Sequence, residues 1–451
     1  MSARFDQLSG RPPGADPAAD SRRLGSAILA AGFGKRMAPL TGRYLPKPLF
    51  PLGGKVPILE TWVRKLVAAG LTDLSMNLCV LKGTIRRYFD DGSRFGAALR
   101  YVEEDHPSGT LGGVCKQVLG RQARIFSGET PPTQDRFPGD TIVAPSGDIV
   151  TNFDAEQLEE LLDWHRRQGA AVTMVLTPIA WERRGDFGTV VLKHPQKRRK
   201  PLSQAGPVKD FREKDPLSPS NLNNASIYLI ETRLLAELDA CRTPADPDLA
   251  EPFYDFGKHV FPALLGRLDY LRLSGDNRLM GVQYDGAWHD VGQKRDYLSV
   301  NEAVLDGDLR VELPYDAFSW GYLGRGTDAD LSKIHITPPV VIGNHCQIEA
   351  GVKLGPYAII GDGWAIEQGA QISHSVLWER YSVRQADGTE LPLDEQLQQN
   401  PQRIAAGVRI RKSIIAGGRI DRDVQESTVY VDDHGRVSQS PIDRTDTGPR
   451  A

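Results

Sequence analysis

The first chemical signal is a glycine turn followed by fixed cations. A short apolar run, Ala27–Ala31, leads straight into Gly32-Phe33-Gly34-Lys35-Arg36-Met37. Glycines at a strand-to-helix turn let backbone N–H groups converge on a phosphate, and the helix N-terminus adds a favourable dipole. Two better-known phosphate loops are excluded. A Walker A loop needs Ser or Thr after Gly-Lys, where this chain has Arg36, and a dinucleotide fingerprint needs a third glycine where it has Met37. Shortly afterwards Lys47 stands between Pro46 and Pro48. Prolines on both sides hold that lysine on an extended chain with few alternatives. A lysine so held beside a phosphate loop suits neutralisation of a triphosphate, whereas alone it would read as a surface lysine in a turn.

These residues need a scaffold, and the pattern from Gly25 to about Asn301 supplies one. Short apolar runs alternate with amphipathic stretches such as Pro57–Ala69, whose Ile58, Leu59, Trp62, Val63, Leu66 and Val67 share one helix face. Strands are expected at 74–81, 97–102, 141–144 and 171–177, and helices at 84–89, 109–119, 255–265 and 296–305. Asp154 reads as the N-cap of a further helix. Such alternation predicts an α/β domain with a mostly parallel sheet and helices on both faces. Strands dominate between Gly188 and Leu229, as in an inserted hairpin extension. Beyond a Gly-, Pro- and Asp-containing connector the period changes to six: Ile342, Ile348, Leu354, Ile360, Ile366, Ile372 and Trp378, with turn residues between them. A six-residue repeat is the signature of a left-handed parallel β-helix with one aliphatic residue per face pointing inward. It breaks near 384–403 and resumes at Ile404, Ile410 and Ala416.

Composition narrows the function. Of 451 residues 25% are charged and the formal net charge is -3, so no basic stripe points to nucleic acid. The cluster Lys197-Arg198-Arg199-Lys200 reads as a solvated loop. No apolar stretch approaches a membrane span. The N-terminal residues lack a signal core, and the four cysteines form no CxxC pair. A reducing cytoplasm is therefore the expected location. Asp186-Phe187-Gly188 and Asp255-Phe256-Gly257 have no kinase catalytic loop to accompany them.

Taken in order, the motifs resemble the nucleoside-diphosphate-sugar pyrophosphorylases, the sugar-1-phosphate nucleotidyltransferases. Leu29 to Thr41 followed by Pro46-Lys47-Pro48-Leu49 is similar to that family's opening signature. Gly109-Thr110-Leu111-Gly112-Gly113 resembles its second glycine turn near the nucleobase, and Ser146-Gly147-Asp148 ends a strand where the family carries a metal-binding aspartate. Phe211-Arg212-Glu213-Lys214 and Asn223-Asn224-Ala225-Ser226-Ile227-Tyr228 resemble its sugar-phosphate and sugar contacts. Trp288-His289-Asp290-Val291-Gly292 resembles the segment with the second metal aspartate. The likeness is greatest to the mannose-1-phosphate guanylyltransferase-like branch with a hexapeptide-repeat tail. Two departures stand out: Asp215 separates Lys214 from Pro216, and Leu111 occupies a position where a smaller residue is commoner.

The resemblance implies a Rossmann-like mixed, mostly parallel sheet domain at 25–306, a connector at 307–340 and a left-handed β-helix at 341–434 with its loop at 384–403. Tails are expected at 1–24 and 435–451. It implies Mg²⁺ held by Asp148 and Asp290, with Arg36, Lys47 and Lys214 as the catalytic cations. Leu29, Ala31, Gly32, Gly34, Lys35, Gly109 and Thr110 would bind the nucleotide. Gly147, Glu213, Lys214 and Asn224 would bind the sugar phosphate. The partners are a nucleoside triphosphate and a sugar 1-phosphate, with neither nucleic acid nor membrane, and a homo-oligomer is expected through the β-helix. The best match is GTP with mannose 1-phosphate, and glucose 1-phosphate with UTP, dTTP or ATP is the runner-up. A catalytically silent regulatory subunit of the same fold is a competing reading, although it would have no chemical need for Arg36, Lys47, Asp148, Lys214 and Asp290 together. An acyltransferase β-helix using His345 or His374 is less favoured, because the coil is short.

Overall fold

The computed structural model describes residues 24–41, 45–120, 140–240, 254–268, 273, 277–379, 402–431 and 435–442. Apart from Leu24, the expected N-terminal tail lies outside them. So do residues 384–401 of the expected loop and residues 443–451.

The N-terminal domain is built on one large sheet. In chain order its strands and those beside it are β1 (Leu24–Leu29), β2 (Pro51–Leu52), β3 (Val56–Pro57), β4 (Asp73–Leu78), β5 (Ala98–Glu103), β6 (Thr141–Pro145), β7 (Ile149–Thr151), β8 (Val172–Pro178), β9 (Gly188–Leu192), β10 (Gln196–Lys197), β11 (Leu202–Glu213), β12 (Leu222–Glu231), β13 (Leu279–Tyr284) and β14 (Trp288–Asp290). The sheet order is β10-β11-β13-β8-β12-β6-β1-β4-β5, with β9 paired to β11 and β12. β6, β1, β4 and β5 run parallel, as do β13 and β8. The long β11 and β12, the inserted hairpin region, pair antiparallel with their neighbours. The sheet is mixed for that reason.

Helices α1 (Ile58–Ala68), α2 (Lys82–Phe89), α3 (Gly109–Leu119), α4 (Ala155–Gln168), α5 (Thr232–Ala240), α6 (Phe261–Leu264) and α7 (Lys294–Leu305) cover it. Two apolar clusters lie on its two faces. Trp62 of α1, Leu161 and Trp164 of α4 and Tyr297 of α7 belong to one; Leu111 and Val114 of α3 and Leu234 and Leu235 of α5 belong to the other. Asp154 caps α4 as its sequence implies, in a capping box with Gln157. The segment expected as a helix at 255–265 is instead a five-residue π turn, Phe256–Val260, running into α6.

The C-terminal domain is a coil of three parallel sheets, and its hydrogen-bonded rungs define a parallel β-helix. It starts within the segment expected as a connector. Gly321–Leu323, Asp328–Ala329 and His335–Ile336 already form rungs of the three faces, and Gly321–Leu323 pairs in parallel with Val340–Ile342. Ile342, Ile348, Leu354, Ile360, Ile366 and Ile372 fill its interior. The seventh position slips by one residue: Leu377, opposite Ile360, points inward, while Trp378 joins the core of the first domain. The same face sends Val341, Ile359, Val376 and Ile414 into that core, because alternate residues of a strand face opposite sides. The two domains therefore share one apolar interface. Trp378, Phe50 and Tyr297 meet edge to face there, and the Trp378 indole N–H donates to Tyr297 Oη at 2.9 Å. Residues 437–441, read as part of a tail, form an antiparallel strand against Ser427–Val431. Of the two repeat histidines, His374 is engaged by Glu302 of α7 at 2.9 Å.

Candidate active site

β1 ends at Leu29 and not at Ala31, because its neighbours take over the next hydrogen bonds. Ala30 N–H donates to Asn77 Oδ1 at 2.9 Å, and the Leu29 carbonyl accepts from Gly147 N–H at 2.8 Å. The chain beyond is free to turn. A side chain built at Gly32 would meet nothing within 4 Å, so this glycine borders open space. Gly34 has φ +58°, the left-handed region, and a β-carbon there would lie 3.0 Å from Thr41 Cγ2. Thr41 Oγ1–H donates to the Gly34 carbonyl at 2.8 Å and ties the loop. Lys35 and Arg36 are exposed, and Lys35 Nζ lies 5.4 Å from the centroid of the exposed Phe33 ring.

Lys47 is the best-anchored cation. Pro46 is extended ahead of it, Lys47–Leu49 form a single 3-10 turn, and its side chain is 11% exposed. Its ammonium forms an ion pair with Asp148 Oδ2. Asp148 sits in the turn between β6 and β7 and also accepts from Ser146 Oγ–H at 2.6 Å. Burial raises its pKa, but the Lys47 charge and these hydrogen bonds outweigh it and hold the carboxyl below the usual range. Asp290 arrives through β14, which pairs antiparallel with β7 and places Asp290 opposite Ile149. Val291 N–H donates to the Asp148 carbonyl at 3.3 Å. Asp290 is pushed up to about 6, first by burial and then by the negative charge of Asp148.

Two half-buried carboxylates, one held ionised by Lys47 and the other raised by burial and by the charge of the first, are a fitting donor set for a divalent cation. Among the described residues no group of three or more His, Cys, Asp or Glu side chains forms a metal cluster. A Mg²⁺ ion commonly takes one or two carboxylates and completes its shell with phosphate and water. The pair Asp148 and Asp290 fits that pattern.

A cavity of about 340 Å³ opens beside Lys47 and Asp148. Leu29, Ala31, Gly32, Gly109 and Thr110 also line it, so seven of the sequence candidates share one wall. Gly109 has φ +79°, and a β-carbon there would lie 2.1 Å from the Tyr254 carbonyl oxygen. That close approach is used: Leu111 N–H donates to the Tyr254 carbonyl at 3.1 Å, and Tyr254 N–H to the Ser108 carbonyl at 3.0 Å. Thr110 Oγ1 accepts from Phe256 N–H at 2.8 Å and donates to Asp255 Oδ2 at 3.3 Å. Leu111 is buried in the core below and does not line the cavity, so it does not narrow it.

Asn77, Glu104, Ser108 and Asp255 also line the cavity and carried no sequence prediction of their own. Glu104 is 1% exposed. It accepts from Asn77 Nδ2 at 2.7 Å and from Ser108 N–H at 3.0 Å. A β-carbon at Gly113 would fall 2.4 Å from Asn77 Nδ2, which explains a glycine in the first turns of α3. The available signal was weak: Glu104 lies just before the glycine turn, but Asp255 is far along the chain and its Asp-Phe-Gly context pointed elsewhere.

The remaining candidates lie off the cavity wall. Glu213 fits between Gly188 and Gly257, where β-carbons would lie 2.8 and 2.7 Å from its Oε2. Burial, then the Asp255 charge, raises its pKa. Lys214 holds φ +52°, and its N–H donates to the Phe187 carbonyl at 3.0 Å. The inserted Asp215 caps the turn that follows, accepting from Arg212 at 3.0 Å and from Leu217 N–H at 2.8 Å. Asn224 donates to Tyr228 Oη at 2.7 Å and accepts from Ser226 N–H at 3.1 Å. Gly147 has its N–H engaged by Leu29, and a β-carbon on it would meet Leu59 Cδ1 at 2.9 Å. Its glycine identity is thus a packing requirement.

The sequence profile of the family described as nucleotidyl transferase matches residues 26–307, all of the sheet domain but the first two residues of β1. The chain belongs to the nucleotidyl transferase family. Among its similar proteins is a UTP–glucose-1-phosphate uridylyltransferase from Synechocystis sp., 30% identical over 78% of this chain and 82% of that one. Another is a mannose-1-phosphate guanylyltransferase from Mycobacterium tuberculosis, 27% identical over 78% and 84%. A glucose-1-phosphate adenylyltransferase from Thermomicrobium roseum is 28% identical over 68% and 65%. This nucleotidyltransferase therefore falls among the sugar-1-phosphate nucleotidyltransferases. No helix among the described residues is long and apolar enough to cross a membrane.

Proposed function

We propose that this nucleotidyltransferase joins GTP to mannose 1-phosphate, releasing pyrophosphate and forming GDP-mannose. The observation that carries the reading is the convergence of Lys47 and Asp148 on the wall of a cavity floored by the Gly109–Thr110 turn. A sugar-phosphate oxygen attacks the α-phosphorus in line, the new P–O bond forms, and the bond to the β-phosphate oxygen breaks. The attacking oxygen is anionic near neutral pH, so no general base is required. The protein supplies positioning and charge neutralisation.

In this reading Lys47 and Arg36 hold the triphosphate and stabilise charge on the departing pyrophosphate. Lys35 and the Gly32–Gly34 backbone border its phosphates, while Leu29, Ala31, Gly109 and Thr110 border the nucleoside. Lys214 grips the phosphate of the incoming sugar, Glu213 and Asn224 meet its hydroxyls, and Gly147 shapes the turn beneath it. Asp148 and Asp290 would hold a divalent cation, whose positive charge would offset that of the reacting phosphates. The enzyme would work in the cytoplasm, as a homo-oligomer assembled through the β-helix.

Guanine is favoured by resemblance, since several similar proteins are named guanylyltransferases; the Glu104 carboxylate is 1% exposed and already engaged by Asn77, Ser108 and Lys116. Several relatives named mannose-1-phosphate guanylyltransferase favour mannose. The 30% identical uridylyltransferase supports UTP with glucose 1-phosphate as the second reading. Pyrophosphate release should be measured with each nucleoside triphosphate against mannose and glucose 1-phosphate in Mg²⁺. GTP with mannose 1-phosphate should give the highest kcat/KM. A preference for another pair overturns the substrate assignment. Binding of a nucleotide sugar without release from any pair points to the silent subunit.

A further inference from the structure

The C-terminal strand Val437–Pro441 does more than close the end of the coil. An exposed sheet edge is commonly capped by a short polar strand, and capping alone asks for no contact with another domain. Here the strand reaches across. Ser440 Oγ–H donates to the carbonyl of Ala38 at 3.2 Å, 402 positions away in sequence. Ala38 is the C-terminal cap of the Lys35–Met37 turn, the loop that carries Arg36. Ser440 Oγ also accepts from Lys294 Nζ at 2.6 Å, and the Pro441 carbonyl accepts from the same ammonium at 3.2 Å. Lys294 is 4% exposed and begins α7, four residues after Asp290. A desolvated ammonium must find acceptors, and the C-terminal strand provides two. Ile442, just beyond the strand, packs against the core of the sheet domain, and its N–H donates to the Glu426 carbonyl at 2.9 Å.

One hydroxyl thus touches both the phosphate loop and the helix that follows Asp290. We propose that Ser440, held by Lys294, is a positioning residue that fixes the Ala38 carbonyl and so sets the Arg36 loop against the Asp290 segment. The β-helix would then contribute directly to triphosphate binding. This rests on the proposed role of the Gly32–Met37 loop.

The test uses the full-length chain with Ser440→Ala, and Ser440→Thr to restore the hydroxyl. Amide hydrogen exchange over residues 33–41 should speed up about five- to tenfold in Ser440→Ala, the loss of one to two hydrogen bonds, and return in Ser440→Thr. KM for the nucleoside triphosphate should rise by a similar factor, while KM for the sugar phosphate stays the same. Unchanged exchange at 33–41 overturns the proposal. A lowered Tm with exchange raised throughout the β-helix and both KM values moving together also overturns it, because that is what a purely structural cap would give. If no substrate pair turns over, the exchange measurement still decides the clasp, so the two failures are distinguishable.

Discussion

Replacing Asp290 with Asn should make the metal-free enzyme more stable and far less active. Asp290 is pushed up to about 6 by burial and the nearby Asp148 charge, against a normal 3.8. Between those two pH values the folded chain holds a proton that the unfolded chain has released. Stability therefore falls as pH rises from 3.8 to about 6 and is flat above it. At 1.36 kcal/mol per pH unit, the charged Asp290 costs the fold about 3 kcal/mol above pH 6. Asn keeps the shape without the charge. In EDTA, Asp290→Asn should gain up to about 3 kcal/mol at pH 8, seen as a Tm higher by several degrees, and the gain should vanish near pH 4. Mg²⁺ with nucleotide should raise the wild-type Tm and leave the variant's nearly unchanged. Thermal scans at pH 4, 6 and 8, each with and without Mg²⁺, make the measurement. A loss of stability of the same size at every pH would refute the reasoning, because it would show that the carboxylate acts as a structural acceptor and not as a repelled charge.

Lys214→Ala should raise KM for the sugar phosphate about tenfold or more, the loss of a charge-assisted contact, with little change in nucleotide binding; equal loss of both by calorimetric titration contradicts its role. Gly109→Ala should destabilise the protein by at least about 2 kcal/mol and abolish nucleotide binding, since the new methyl group would meet the Tyr254 carbonyl at 2.1 Å on a backbone with φ +79°. A variant of wild-type Tm would refute that. Lys55 bridges the domains by ion pairs to Asp362 and Glu379, and burial, opposed by Lys55, pushes Glu379 up to about 7. Lys55→Met should cost about 3 kcal/mol at pH 8 and less at pH 6, where Glu379 takes up a proton and the unpaired charge is relieved. Thermal scans at the two pH values would show it.

Periodicity and local chemistry carried most of the fold. The hexads marked the coil because each rung must bury one aliphatic residue. Asp154 marked a helix start because an N-cap is a local requirement. Short rungs of two or three residues, such as Asp328–Ala329, have no readable period, so the coil's start at Gly321 was hidden inside an expected connector. The slip that turns Trp378 outward depends on a turn one residue shorter, which spacing alone does not reveal. In the site, Lys47 and Asp148 stood out through their neighbours, but the ion pair between them is a product of tertiary packing. Asn77, Glu104 and Asp255 were not legible as cavity residues because the contacts that bring them there, Asn77 to Glu104 and Thr110 to Asp255, join distant parts of the chain, and buried polar networks leave no periodic trace. The reach of Ser440 to Ala38 was equally hidden, since nothing local distinguishes that serine from one in a tail.

In the proposed function Asp148, paired with Lys47, and Asp290 form a metal-dependent nucleotidyl-transfer centre. The most direct measurement compares Mg²⁺-dependent pyrophosphate release by wild type and Asp148→Asn, with circular dichroism and Tm recorded on both. The Asp148→Asn protein should fold normally, with kcat lower by at least about 100-fold. Undiminished release from a folded Asp148→Asn protein would contradict that function.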